Sequence, residues 1–241
     1  MPQNRMHMKL EHLKKELKGK ADKKKAAFLA RFFKTGPGEY AEGDLFLGIV
    51  VPEIRKISKN YLGIGLKDAV GLLRSKFHEE RLLALLILIS KYAKGDETAK
   101  DAVYRAYLAN TKYINNWDLV DLTAPHIVGA HLADKDKSPL LALARSGLIW
   151  ERRISVLASF HFIRNNIFDH TLEICKILLR DEEDLIHKAV GWMLREVGKR
   201  DIVKEEEFLK DRYMVMPRTM LRYAIERFPE AKRRAYLKGS V

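Results

Sequence analysis

The chain has 241 residues, 47% hydrophobic and 32% charged, which excludes a disordered chain and leaves enough apolar surface for a substantial core. Lys and Arg outnumber Asp and Glu by 45 to 32, a formal charge of +13, so the partner such a field suits best is a polyanion, nucleic acid above all; solubility alone is the plainer reading. Cys175 is the single cysteine, which rules out an internal disulfide and fits a reducing cytoplasm.

Residues 1–8 are expected to be frayed. The charges spread over Met1 to Lys20 give no signal-peptide pattern, and the most apolar run, Leu82 to Ile89, is too short to cross a bilayer, so no membrane partner is expected. Lys9 to Leu17 and Ala21 to Phe33 carry apolar residues at helical spacing. Lys34 to Asp44 is a loop dense in turn formers; it lacks the Gly-Lys-Ser/Thr ending of a phosphate loop. Leu45 to Val51 reads as an extended linker into a helix opened by Pro52, and Gly63-Ile64-Gly65 ends that helix before a short one over Leu66 to Ser75.

From His78 the chain repeats. Arg81, Asp118, Arg153, Lys188 and Arg218 occupy corresponding first-turn positions of successive helices, spaced by 37, 35, 35 and 30 residues. Shorter helical stretches lie between them, at Asp96 to Ala109, Ser138 to Arg145 and Phe168 to Leu178. Helix pairs at a period in the middle thirties predict one all-α domain over 1–241, an α-solenoid in which each repeat buries its face on the next; a non-repeating helical bundle is the alternative. Equivalent positions of a solenoid line the same surface, so Arg81, Arg153, Lys188 and Arg218 are expected to form a row of cations suited to phosphates, unless neighbouring carboxylates claim them.

Two stretches concentrate candidate chemistry. With Asn116 as N-cap, Trp117 and Asp121 fall four apart on one helical face, an indole beside a carboxylate in a basic chain. Lys188, Trp192 and Arg195 likewise share a face, so Trp192 is expected to be wet or stacked on something polar. Trp150 looks like a packing residue, and Cys175 like a buried, inert thiol. The eight histidines have no zinc spacing; neither a metal nor a cofactor is expected.

The motifs Phe46-Leu47-Gly48-Ile49-x-x-Pro52-x-x-Arg55, Trp117-Asp118-x-x-Asp121, Trp150-x-x-Arg153, Val190-Gly191-Trp192-x-Leu194-Arg195-Glu196 and Pro217-Arg218-x-x-Leu221-Arg222 together resemble the DNA alkylation repair family of HEAT-like repeat glycosylases (AlkD type). The likeness runs from about Leu10 to Phe228. It implies a solenoid of HEAT-like repeats whose concave basic face holds double-stranded DNA with alkylated bases, and excision of cationic alkylpurines such as 3-methyladenine and 7-methylguanine without deep base flipping. By motif, Asp121 resembles the catalytic aspartate, and Trp117 and Trp192 the aromatics that pack on the lesion's deoxyribose. Arg153 resembles the arginine that holds the backbone beside the lesion, and Arg195 a further DNA contact. Phe32 and Val50 are apolar where the best-known members carry polar residues. A monomer is expected. A non-catalytic binder of damaged or branched DNA and a protein-interaction scaffold are the competing functions.

Overall fold

A computed structural model describes residues 2–241, with side chains from residue 10 onward; of the start expected to be frayed, residue 1 lies outside them and residues 2–8 belong to the first helix. Among the described residues the chain is all-α, with one isolated parallel bridge, Leu45 to Phe77, in place of any strand. It divides into two compact units, the first ending at Leu119 and the second running from Val120 to Val241.

In the first unit α1 (Pro2–Gly19) buries Leu13 and Leu17. Next comes α2 (Lys23–Phe32), capped by Asp22, whose carboxylate accepts from the amides of Lys24 and Lys25. None of the α2 residues is fully buried. The extended linker predicted after the glycine-rich loop forms as expected, and Glu79 explains why it stays in place. This buried carboxylate accepts from the amides of Leu47 and Gly48 at 2.8 Å and of Ile49 at 3.2 Å, satisfying donors that a strand partner would otherwise take. Gly48 has φ +85°, and a Cβ there would stand 2.2 Å from the carbonyl oxygen of Asp22, so only glycine passes the start of α2.

Pro52 lies in the first turn of α3 (Val51–Asn60), as predicted, and α4 (Leu66–Leu73) follows. Both pack on α5 (His78–Lys94), whose Leu82, Leu83, Leu85, Ile87 and Leu88 form the centre of this unit. Packed on α5 as well is α6 (Glu97–Leu108), capped by Asp96. A short helix, α7 (Trp117–Asp121), spans the junction between the units.

The second unit opens with a π-helical turn, Pro125–Gly129, and continues through α8 (Ser138–Ala144), α9 (Ile149–Ala158), α10 (Phe160–Arg164) and α11 (Asp169–Ile177). It ends with α12 (Asp184–Gly198), α13 (Ile202–Lys210), α14 (Arg218–Ala224) and α15 (Glu230–Lys238). Here α8 pairs with α9 and α11 with α12, while α9, α12 and α14 pack on one another in series. Those three helices begin 35 and 34 residues apart, which is the period legible in the sequence. The arrangement is that of an α-solenoid, in which each helix pair buries its apolar face on its neighbour. Gly191 permits a close contact here: a Cβ there would lie 2.4 Å from the carbonyl oxygen of Met220 on α14.

Candidate functional site

The side chain of Asn116 begins α7, its oxygen accepting from the amide of Trp117 at 2.8 Å. The Trp117 indole stacks on Phe33 at 5.3 Å between centroids and meets the exposed ring of Phe32 edge-on at 6.1 Å. Asp118, in the first turn of α7 as its place in the repeat predicts, also accepts from Nε2 of His78 at 2.8 Å. Nδ1 of the same imidazole lies 3.7 Å from Asp44. Burial alone would lower the pKa of His78, but the two carboxylates outweigh it and the net direction is upward, toward an imidazolium. Above this pair opens an apolar pocket of about 290 Å3, lined by Phe32, Phe33, Phe46, Val50 and His78. Phe32 and Val50 at its mouth are 54% and 50% exposed.

Asp121, at the other end of α7, lies in the second unit with Arg153 of α9. Their contact is bidentate: Nε donates to Oδ1 and Nη2 to Oδ2, both at 2.8 Å. The remaining Nη1 donates to the carbonyl of Leu185 in the first turn of α12. Arg153 therefore ties α7, α9 and α12 together, and its side chain is 6% exposed against 15% for Asp121. This two-point fork fixes the plane of the carboxylate as well as its position.

The expected row of surface cations is revised by these contacts. Arg81 is 3% exposed, donating to Asp44 at 2.5 Å and to the carbonyl of Ser75 at 3.0 Å. Arg81 and Arg153 are thus buried ion-pair partners, because a carboxylate from an earlier part of the chain meets each of them. Only Arg81 and Arg218 lie in a first turn; Arg153 and Lys188 are the fifth residues of their helices. Lys188 is half-exposed and bonded to Asp184 at 2.7 Å, and Arg218 is exposed. Trp192 is half-buried beside Phe160 and donates from its indole to Glu196 at 3.1 Å. Arg195, expected beside it on a wet face, is drawn into an ion pair with Glu226.

Sequence reasoning missed His78, Asp44 and Glu79. The tetrad His78-Glu79-Glu80-Arg81 is wholly buried, although four polar residues opening a helix usually face water. The available signal was their continuity with the apolar run that follows, which marks the amino-terminal part of α5 as core. Trp150 and Cys175 are buried, and burial pushes the Cys175 thiol far up. Among the described residues no group of three or more His, Cys, Asp and Glu could hold a metal ion, and no helix is long and apolar enough to cross a membrane.

The sequence model of the family described as DNA alkylation repair enzyme matches residues 13–228. None of the curated proteins compared matches the chain. Among solved structures, a protein described as a predicted DNA alkylation repair enzyme from Enterococcus faecalis superposes with a TM-score of 0.68 at 18% identity, covering 87% of this chain and 97% of that one. At that identity the likeness speaks for the fold alone, whereas the family match spans nearly the whole sequence. The chain belongs to the DNA alkylation repair enzyme family, and its role lies in the repair of alkylated DNA.

Proposed function

We propose that the protein is a monofunctional DNA glycosylase that hydrolyses the N-glycosidic bond of cationic alkylpurines in duplex DNA, with Asp121 as the catalytic carboxylate and Trp117 and Trp192 beside the lesion's sugar. The observation that carries this reading is the oriented carboxylate of Asp121, held in a bidentate fork within the segment the family motif marks. An N3- or N7-alkylated purine already bears a positive charge. When its bond to C1′ breaks, both electrons leave with the base, which becomes neutral, and the sugar acquires oxocarbenium character. A fixed negative group steadies that charge without having to reorganise. Electron-rich indole faces favour the same cation. Water then adds to C1′, and its proton passes to the carboxylate or to solvent. Neutral bases would need a proton on the leaving group, and no residue is assigned to donate one. Selectivity for labile, charged lesions follows.

Arg153 enters this scheme as the partner that orients Asp121. A backbone phosphate approaching the fork shares the guanidinium charge and leaves more of the carboxylate's field for the sugar. Lys188, Arg195, Arg218 and Arg81 are proposed to add to the positive field that holds the duplex.

The fork also favours a second reading. A buried, saturated ion pair is a common structural device, and a protein in which Asp121 only holds α7 to α9 would bind DNA without turning it over. Release of 7-methylguanine from methylated duplex separates the two. The wild type is expected to release the base and Asp121→Asn to do so at least a hundredfold more slowly, on the magnitude lost when one electrostatic stabiliser is removed (about 10²–10³). Equal release by both proteins overturns the assignment of Asp121, and no release by the wild type overturns the glycosylase itself.

A further inference from the structure

A second pocket in the first unit, about 260 Å3 in volume, lies where the loops preceding α5 and α7 meet, and four cations line it: Arg74, Lys76, Arg81 and Lys112. Its two acids are already engaged. Asp44 accepts from Arg81 and from the side-chain amide of Asn115 at 3.0 Å, and those partners with His78 hold its carboxyl below the usual range against the opposing effect of burial. Glu42 accepts from the amide of Gly38. Arg74, Lys76 and Lys112 are exposed, and two of them share one aromatic contact. Lys112 Nζ stands 5.0 Å and the Arg74 guanidinium 5.9 Å from the centroid of the Tyr113 ring, so one aromatic gathers both. The Arg74 Nε is fixed further by Asn110 at 3.0 Å. Behind them Arg81, 3% exposed, keeps one buried donor, Nε, without a partner. The four positive groups outnumber the two acids that line the pocket, an excess that an anion among them would offset.

We infer that this pocket binds a phosphate group, supplied by a nucleic-acid backbone or by a small phosphorylated compound, with Arg74, Lys76 and Lys112 as direct donors and Arg81 as a fixed charge in the wall. The inference does not depend on the excision chemistry, since a phosphate is all the pocket requires. A backbone phosphate here would anchor the duplex through contacts that the family motifs do not include.

The test uses Lys76→Ala/Lys112→Ala, which removes two exposed cations and leaves the buried Arg81–Asp44 pair intact. Binding of a short unmethylated duplex is measured across a salt series, so the result stands whether or not the protein excises bases. A charge-matched control, Lys23→Ala/Lys24→Ala on α2, separates the pocket from net charge. If the backbone supplies the phosphate, the pocket variant's slope of log K against log salt falls by about two, at roughly 0.9 per contact, and the control's slope holds. If a small compound supplies it, the duplex slope stays level, while calorimetric titration with inorganic phosphate and with deoxyadenosine monophosphate gives binding to the wild type that the pocket variant loses. Equal slope changes in both variants, or no response in either arm, overturn the inference.

Discussion

At the scale of single residues, charges in this protein are decided by their partners. The Asp121–Arg153 fork is largely buried, and breaking such a pair leaves a charge with neither water nor counterion. Arg153→Ala is therefore expected to cost about 3–5 kcal/mol in urea unfolding, the range for an orphaned buried ion. A loss under about 1 kcal/mol, typical of an exposed pair, would show that the fork is not desolvated. Glu205 presents the opposite case. It is buried under α12 against Gly198, and burial, reinforced by Glu206 and opposed by Arg195, pushes its carboxyl up to about 9. The unfolded chain gives up this proton near 4.5 and the folded chain keeps it. Unfolding then releases a proton throughout the window from 4.5 to about 9, so stability falls as pH rises across it, by roughly 1.4 kcal/mol per unit. Glu205→Gln keeps the neutral shape without the proton to lose. Its melting temperature relative to wild type is expected to climb between pH 5 and pH 8 (roughly the span over which the wild-type penalty grows). A constant difference across that range would mean that Glu205 is charged in the folded protein.

At the scale of elements, α12 and α14 of the second unit approach closely where a side chain is missing. Gly191 lies in the midst of α12, where glycine costs about 1 kcal/mol relative to alanine in an isolated helix. Helix propensity alone would therefore make Gly191→Ala stabilising. The added methyl would instead meet the Met220 carbonyl at 2.4 Å and the Tyr223 side chain at 2.5 Å, which forces α14 away. The overpacking term wins, and a net destabilisation of about 1–3 kcal/mol is expected in thermal or denaturant unfolding. A more stable variant would mean that α12 and α14 slide apart at no cost.

At the scale of the whole molecule, the excess of 13 positive charges sets how the protein meets DNA. Ions condensed on the duplex are released as lysines and arginines replace them, so affinity should fall linearly in log–log form with salt, at about 0.9 per phosphate contacted. Anisotropy with an undamaged duplex at increasing salt measures this directly. Affinity indifferent to salt would favour a scaffold for other proteins and remove DNA as the partner.

The helices and their period were legible because burial against a neighbouring helix imposes a spacing near 3.6 along each segment, and stacking of like pairs imposes a second, near 35, between segments. Gly191 and Pro52 were visible as motif residues for related reasons, since close approach and a helix start both demand a particular backbone. The electrostatic map was not legible. Arg81 and Arg153 looked like members of an exposed row, and the structure buries each against an aspartate 37 and 32 residues earlier in the chain. Asp118 similarly finds His78, 40 residues before it. Periodicity records which side of a helix avoids water. The identity of the group facing that side from another helix is set only when the chain folds, and in this protein that group determines whether a charge is offered to DNA or consumed in holding the fold.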